Sequence, residues 1–137
     1  MTPKQDTTPF GGVLAFLKIL CGRKILHKLP GDRMRSQGWL DAQMVLSIML
    51  LNILGFDRVA DIDRLEEDTV LGKIVRQLEP LLFGRRHATL SSRLRRGRTR
   101  TFPSPRAIHD WLSRRHDDAA AQARIKGEAY IPPPAQE

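Results

Sequence analysis

Residues 42–56 read A-Q-M-V-L-S-I-M-L-L-N-I-L-G-F, with no charge and with Gln43, Ser47 and Asn52 as the polar side chains. A bilayer span needs about twenty apolar residues, and this run is shorter and interrupted. A helix that is apolar on nearly every side must be surrounded by protein. The run therefore predicts a central helix over 42–54 with other helices packed around it. Asp41 fits as its N-cap or first-turn acid, and Gly55 fits as its stop.

The flanking sequence carries helical spacing. Val13, Phe16, Leu17 and Leu20 share one face, Gly22 interrupts, and Ile25, Leu26 and Leu29 predict a further turn or two before Pro30. Val59, Ile62 and Leu65 recur at three-residue steps, with Asp61, Arg64 and Glu67 opposite them. Asp68-Thr69 reads as the cap of a short next helix bearing Val70, Leu71, Ile74, Val75 and Leu78, which Pro80 is expected to break. Ser104 followed by Pro105 predicts another helix start, with Ile108, Trp111 and Leu112 inward and Arg106, His109, Asp110 and Ser113 outward. Sustained two-residue alternation is absent. The expected class is all-α: a small irregular helical bundle with a basic arm and an extended Pro-rich C-terminal tail. Its expected parts are a loose N-terminus (1–10), a helical core (11–79), an Arg-rich connector or arm (80–102), a C-terminal helix (103–126) and the tail (127–137).

Charge is distributed unevenly. The net charge is +8, and residues 80–102 alone contribute seven arginines and no acid. Residues 57–79 carry seven acids against four bases. A block such as R-R-H-A-T-L-S-S-R-L-R-R-G-R-T-R over 85–100 repels itself and calls for counter-charge, commonly phosphate. The planar guanidinium fork suits phosphate oxygens and guanine edges. Two plainer readings compete: a solvated linker, or neutralisation by the acids of 57–79 within the fold.

Other classes of chemistry lack their residues. The single Cys21 excludes an internal disulfide and a Cys-rich zinc site, and it fits a helical face as a small buried residue. His27, His87, His109 and His116 lack ligand partners at metal-binding spacing, and Gly11-Gly12 lacks the Lys-Ser/Thr of a phosphate-gripping loop. Residues 13–21 are apolar apart from Lys18, but Gly22-Arg23-Lys24 follows where a signal peptide has its cleavage site. No cofactor, no small-molecule substrate and no membrane partner are expected. The expected location is cytoplasmic, on the nucleoid when DNA is bound.

Several short motifs occur in an order that resembles the N-terminal region of bacterial insertion-sequence transposases of the DDE type. They are Ser36-Gln37-Gly38-Trp39, then Gly55-Phe56-Asp57-Arg58-Val59-Ala60-Asp61. Arg98-Thr99-Arg100-Thr101-Phe102-Pro103-Ser104-Pro105 follows, with Ile108 and Trp111-Leu112 after it. The last two are His116-Asp117 and Ala129-Tyr130-Ile131-Pro132. Such enzymes join a helical N-terminal part to a ribonuclease-H-like catalytic domain. The resemblance covers about residues 11–134 and implies that this part holds the element's terminal inverted repeats. The family's three metal-binding carboxylates fall beyond Glu137, so none transfers to this chain, and a truncated transposase or remnant without cleavage activity is expected. Arg115 stands where the family usually has Phe, inside the Ile108/Trp111/Leu112 stripe, where an arginine must snorkel or pair.

The expected partner is therefore double-stranded DNA at element ends. Arg85, Arg86, Arg93, Arg95, Arg96, Arg98 and Arg100 are the candidate phosphate contacts, and Arg106 and His109 are candidates near a groove. A homodimer is compatible with the sequence. The alternatives are a free-standing nucleic-acid-binding or regulatory protein directed at RNA, and an interaction protein whose apolar helix pairs with another chain. The low aromatic content, 6%, argues against recognition of single strands by stacking.

Overall fold

The computed structural model describes residues 9–29, 39–84 and 100–114, together with Ala119 and Gln122. It is all-α, with no strand among the described residues. The first helix, α1 (Val13–Arg23), buries Val13, Leu17 and Leu20. The expected interruption at Gly22 comes one residue later: the helix ends at Arg23, and Lys24 closes it in the left-handed conformation (φ 51°, ψ 33°) with its N–H donated to the Leu20 carbonyl at 3.1 Å. A 3-10 turn (Leu26–Lys28) follows and buries Leu26.

The central helix α2 (Asp41–Ile53) is enclosed as its sequence requires, with Ala42, Met44, Leu46, Leu50 and Leu51 in the core. Its start is fixed by the Gln43 side-chain oxygen, which accepts the Leu40 N–H at 3.0 Å. Its end is a double reverse bond. Gly55 N–H reaches Asn52 O and Phe56 N–H reaches Leu51 O, so the expected glycine stop holds. Trp39, just before α2, is buried.

A second 3-10 turn (Val59–Asp61) runs into the short α3 (Ile62–Glu67), whose Ile62 and Leu65 are fully buried. Asp68 alone separates α3 from α4 (Thr69–Phe83) and caps it, accepting the Val70 and Leu71 N–H groups at 3.0 Å each. Pro80 does not break α4; the helix continues through it to Phe83. The proline removes one bond, a penalty of about 3 kcal/mol. Burying Leu82 and Phe83 stabilises the last turn by about 1.5–3 kcal/mol each, which is enough to hold it. Finally α5 (Pro105–Ser113) begins as the sequence predicts. Ser104 Oγ accepts the Ala107 N–H at 3.2 Å and Pro105 is the first helical residue.

All of these elements share one core. α4 packs on α1, on the first 3-10 turn and on α3, while α5 packs on the second 3-10 turn. The Trp111 indole N–H donates to the buried Asp41 carboxylate at 2.8 Å and ties α5 to the start of α2. Within α5, Ala107, Ile108 and Trp111 face the core, but Leu112, expected inward, is 41% exposed. Of the expected helical extension towards residue 126, Ala119 and Gln122 are described and helical; Arg115 and the C-terminal tail lie outside the described residues. Most of the apolar surface of α2 is covered by its own chain, while Val45, Ile48 and Met49 are half-buried and Ile53 is exposed.

Candidate nucleic-acid interface

Six of the nine predicted contact residues, Arg85, Arg86, Arg93, Arg95, Arg96 and Arg98, lie outside the described residues. Their flanks are described, and they differ. At the N-terminal flank, Phe83 is buried and Gly84 leaves the helix with φ 84° and ψ 160°, a conformation open essentially only to glycine. The His27 ring lies against it. A Cβ on Gly84 would sit 3.2 Å from His27 Nδ1, and Nε2 of the same ring donates to the Leu81 carbonyl at 2.8 Å.

At the C-terminal flank, the chain is clasped by carboxylates. Glu66, on α3, accepts the Thr101 N–H (2.8 and 3.1 Å to its two oxygens) and the Phe102 N–H (2.8 Å). Arg100 donates to Asp63 at 2.7 Å and to the Phe102 carbonyl at 3.2 Å. Arg76, on α4, donates to Thr101 Oγ1 at 2.9 Å. Gly72 makes this approach possible, because a Cβ there would sit 3.0 Å from Thr101 Oγ1. Thr101, Phe102 and Pro103 are consequently buried, and they deliver Ser104 to the start of α5.

The carboxylates therefore hold one predicted phosphate contact, Arg100, against the protein itself, in line with the neutralisation reading of residues 57–79 for that one arginine. Arg106 is free of the core, with its side chain 87% exposed and only a long approach, 4.0 Å, to Asp110. His109 and Ser113 are exposed on the same side of α5, with Ser113 Oγ bonded to the His109 carbonyl at 2.8 Å. Arg106, His109 and Ser113 stand at i, i+3 and i+7, one open stripe opposite Ile108 and Trp111. The first turn of α5 offers little to a phosphate. Pro105 has no N–H, Ala107 is capped by Ser104, and Ile108 bonds the Ser104 carbonyl.

From sequence, Asp41 has a role at the start of α2, but neither Glu66 nor Asp63 is singled out. Asp63 and Glu66 are three residues apart and so share a helix face, the one signal of a clasp that the sequence carries. Asp41 and Trp111 are seventy positions apart with no local pattern linking them. Cys21 is half-buried, and that burial pushes its thiol pKa up, so it is not poised as a nucleophile. Among the described residues, no group of three or more His, Cys, Asp or Glu is arranged to hold a metal, and no helix is long and apolar enough to cross a membrane. Comparison of the chain with protein-family models, with curated proteins and with solved structures gives no match.

Proposed function

We propose that this chain binds duplex DNA, and that it does so as the N-terminal, end-recognising part of an insertion-sequence transposase. One observation carries the reading. Gly84 and Arg100, on either side of a segment with six arginines and no acid, are both fixed to one helical body. About 12 Å of α4 separates Gly84 from Arg76, which touches Thr101. The chain then passes directly into α5, whose outward stripe is Arg106, His109 and Ser113.

The division of labour follows from charge. Arg85, Arg86, Arg93, Arg95, Arg96 and Arg98 displace counterions from phosphates, giving affinity without sequence. Arg106 and His109 are placed on a rigidly docked helix, where base edges or flanking phosphates are read. Arg100 acts as an anchor. The order of motifs shared with the transposases adds the identity of the target, the element's inverted ends. The homodimer and the nucleoid location belong to the same reading.

The test is a binding titration of the full chain with a duplex, a single strand and a structured RNA over ~50–200 mM salt. The expected outcome is preference for duplex DNA with a steep fall in affinity as salt rises. A chain with Arg95, Arg96 and Arg98 changed to Ala is expected to lose about 3 in the slope of log K against log salt. An unchanged slope in that variant rejects the arginine block. Tighter binding of the structured RNA moves the function to the RNA-directed alternative.

A further inference from the structure

We infer that the turn following α1 is a second phosphate-contacting surface, in which Lys24 and Lys28, with Arg23 beside them, receive the sugar-phosphate backbone of the duplex. The inference rests on the DNA-binding reading but uses residues outside the arginine block.

Residues 9–29 contain Lys18, Arg23, Lys24 and Lys28 and no acid. All four cations are exposed, and none is paired with a carboxylate of a described residue. Exposed cations without a carboxylate partner among the described residues attract a polyanion. Their position is specific. His27 lies between Lys24 and Lys28 in the turn, and its N–H bonds the Lys24 carbonyl at 3.3 Å. The same residue's ring touches Gly84 and bonds Leu81. The two lysines are thus held beside Gly84, after which the arginine sequence begins.

The backbone supplies an independent observation. Lys24 is the one non-glycine residue among the described residues with positive φ, and it ends α1 in the left-handed conformation that helices usually give to glycine or asparagine. Nothing in the fold requires a lysine there, because its backbone N–H alone makes the closing bond to Leu20. A cation kept at a strained position points to a task for its side chain. Ile19 and Ile25, exposed near these cations, raise an anionic membrane surface as the rival partner. The fold disfavours it. An interfacial helix embeds its apolar face, and the apolar face of α1 (Val13, Leu17, Leu20) is already in the core.

The experiment compares the full-length parent, Lys24→Gly, and the pair Lys24→Gly with Lys28→Gln. Thermal unfolding is measured together with titration by a labelled duplex of arbitrary sequence, at several salt concentrations, and with vesicles containing phosphatidylserine. Lys24→Gly is expected to raise Tm by a few degrees, because glycine relieves the left-handed backbone, while lowering the salt slope by about 1. The pair is expected to lower the slope by about 2 and affinity by about tenfold. A higher Tm with an unchanged salt slope overturns the inference. So does vesicle capture that depends on these lysines while duplex affinity stays the same. A parent chain that fails to bind duplex overturns the DNA reading itself and this inference with it. A parent that binds, with the arginine variant weakened and the lysine variants intact, removes this inference alone.

Discussion

The arginine-rich sequence lies between Gly84 and Arg100, and these two junctions are built from opposite materials. At Gly84 the chain is held by burial of Leu82 and Phe83 and by contact with the His27 ring, with lysines nearby. At Arg100 it is held by Asp63 and Glu66. An apolar anchor leaves the surrounding cations available to an outside polyanion. A carboxylate anchor draws on the local positive charge and repels phosphate. Under the proposed DNA reading, a duplex is favoured at the Gly84 side and disfavoured over α3.

The largest test of that contrast is Phe83→Ala. Truncating a fully buried phenylalanine is expected to cost about 3–5 kcal/mol, read as a lower midpoint in urea and indifferent to salt. Glu66→Ala comes next. It leaves the Thr101 and Phe102 N–H groups without their acceptor in a buried strand of chain. The expected loss is about 2–3 kcal/mol, with Glu66→Gln, which keeps one acceptor oxygen, losing less. Equal losses for the Ala and Gln variants reject the account in which the two amides set the cost.

Most of the helical framework was legible because it depends on local rules. The uncharged run 42–54, the Asp68 and Ser104 caps and the Gly55 stop each combine a periodicity with a terminal hydrogen bond, and the structure forms all of them. One local expectation failed where tertiary packing outweighed propensity: Pro80 stays inside α4 because Leu82 and Phe83 beyond it are buried. Neither the clasp nor the tie between α5 and α2 was legible: the first joins Glu66 to Thr101 across thirty-five positions, the second Asp41 to Trp111 across seventy, and no spacing rule reaches that far. Counting charges located the acids of 57–79, but only the fold distinguishes Glu66, which holds a backbone, from acids facing solvent. For the same reason Arg100 looked equivalent to its neighbours in sequence and is distinct in the fold.

Two smaller effects sharpen the contrast. Gly84→Ala places a Cβ at positive φ and 3.2 Å from the His27 ring. A loss of about 1–3 kcal/mol is expected, and His27→Ala in the same chain is expected to recover the steric part but not the backbone part. Recovery of the whole loss in the double variant contradicts a backbone origin.

Arg100→Ala is expected to have the least effect. Its partner Asp63 is more than half exposed, so the ion pair is screened and contributes about 0.2–1 kcal/mol. That contribution is expected to shrink further as salt is raised towards ~1 M, where the Debye length falls to about 3 Å. In duplex titrations the same variant is expected to leave the salt slope unchanged, because a guanidinium already bound to a carboxylate releases no counterions on meeting DNA. A slope lowered by about 1 shows instead that Arg100 leaves Asp63 for phosphate, and that the acidic junction opens when the duplex arrives.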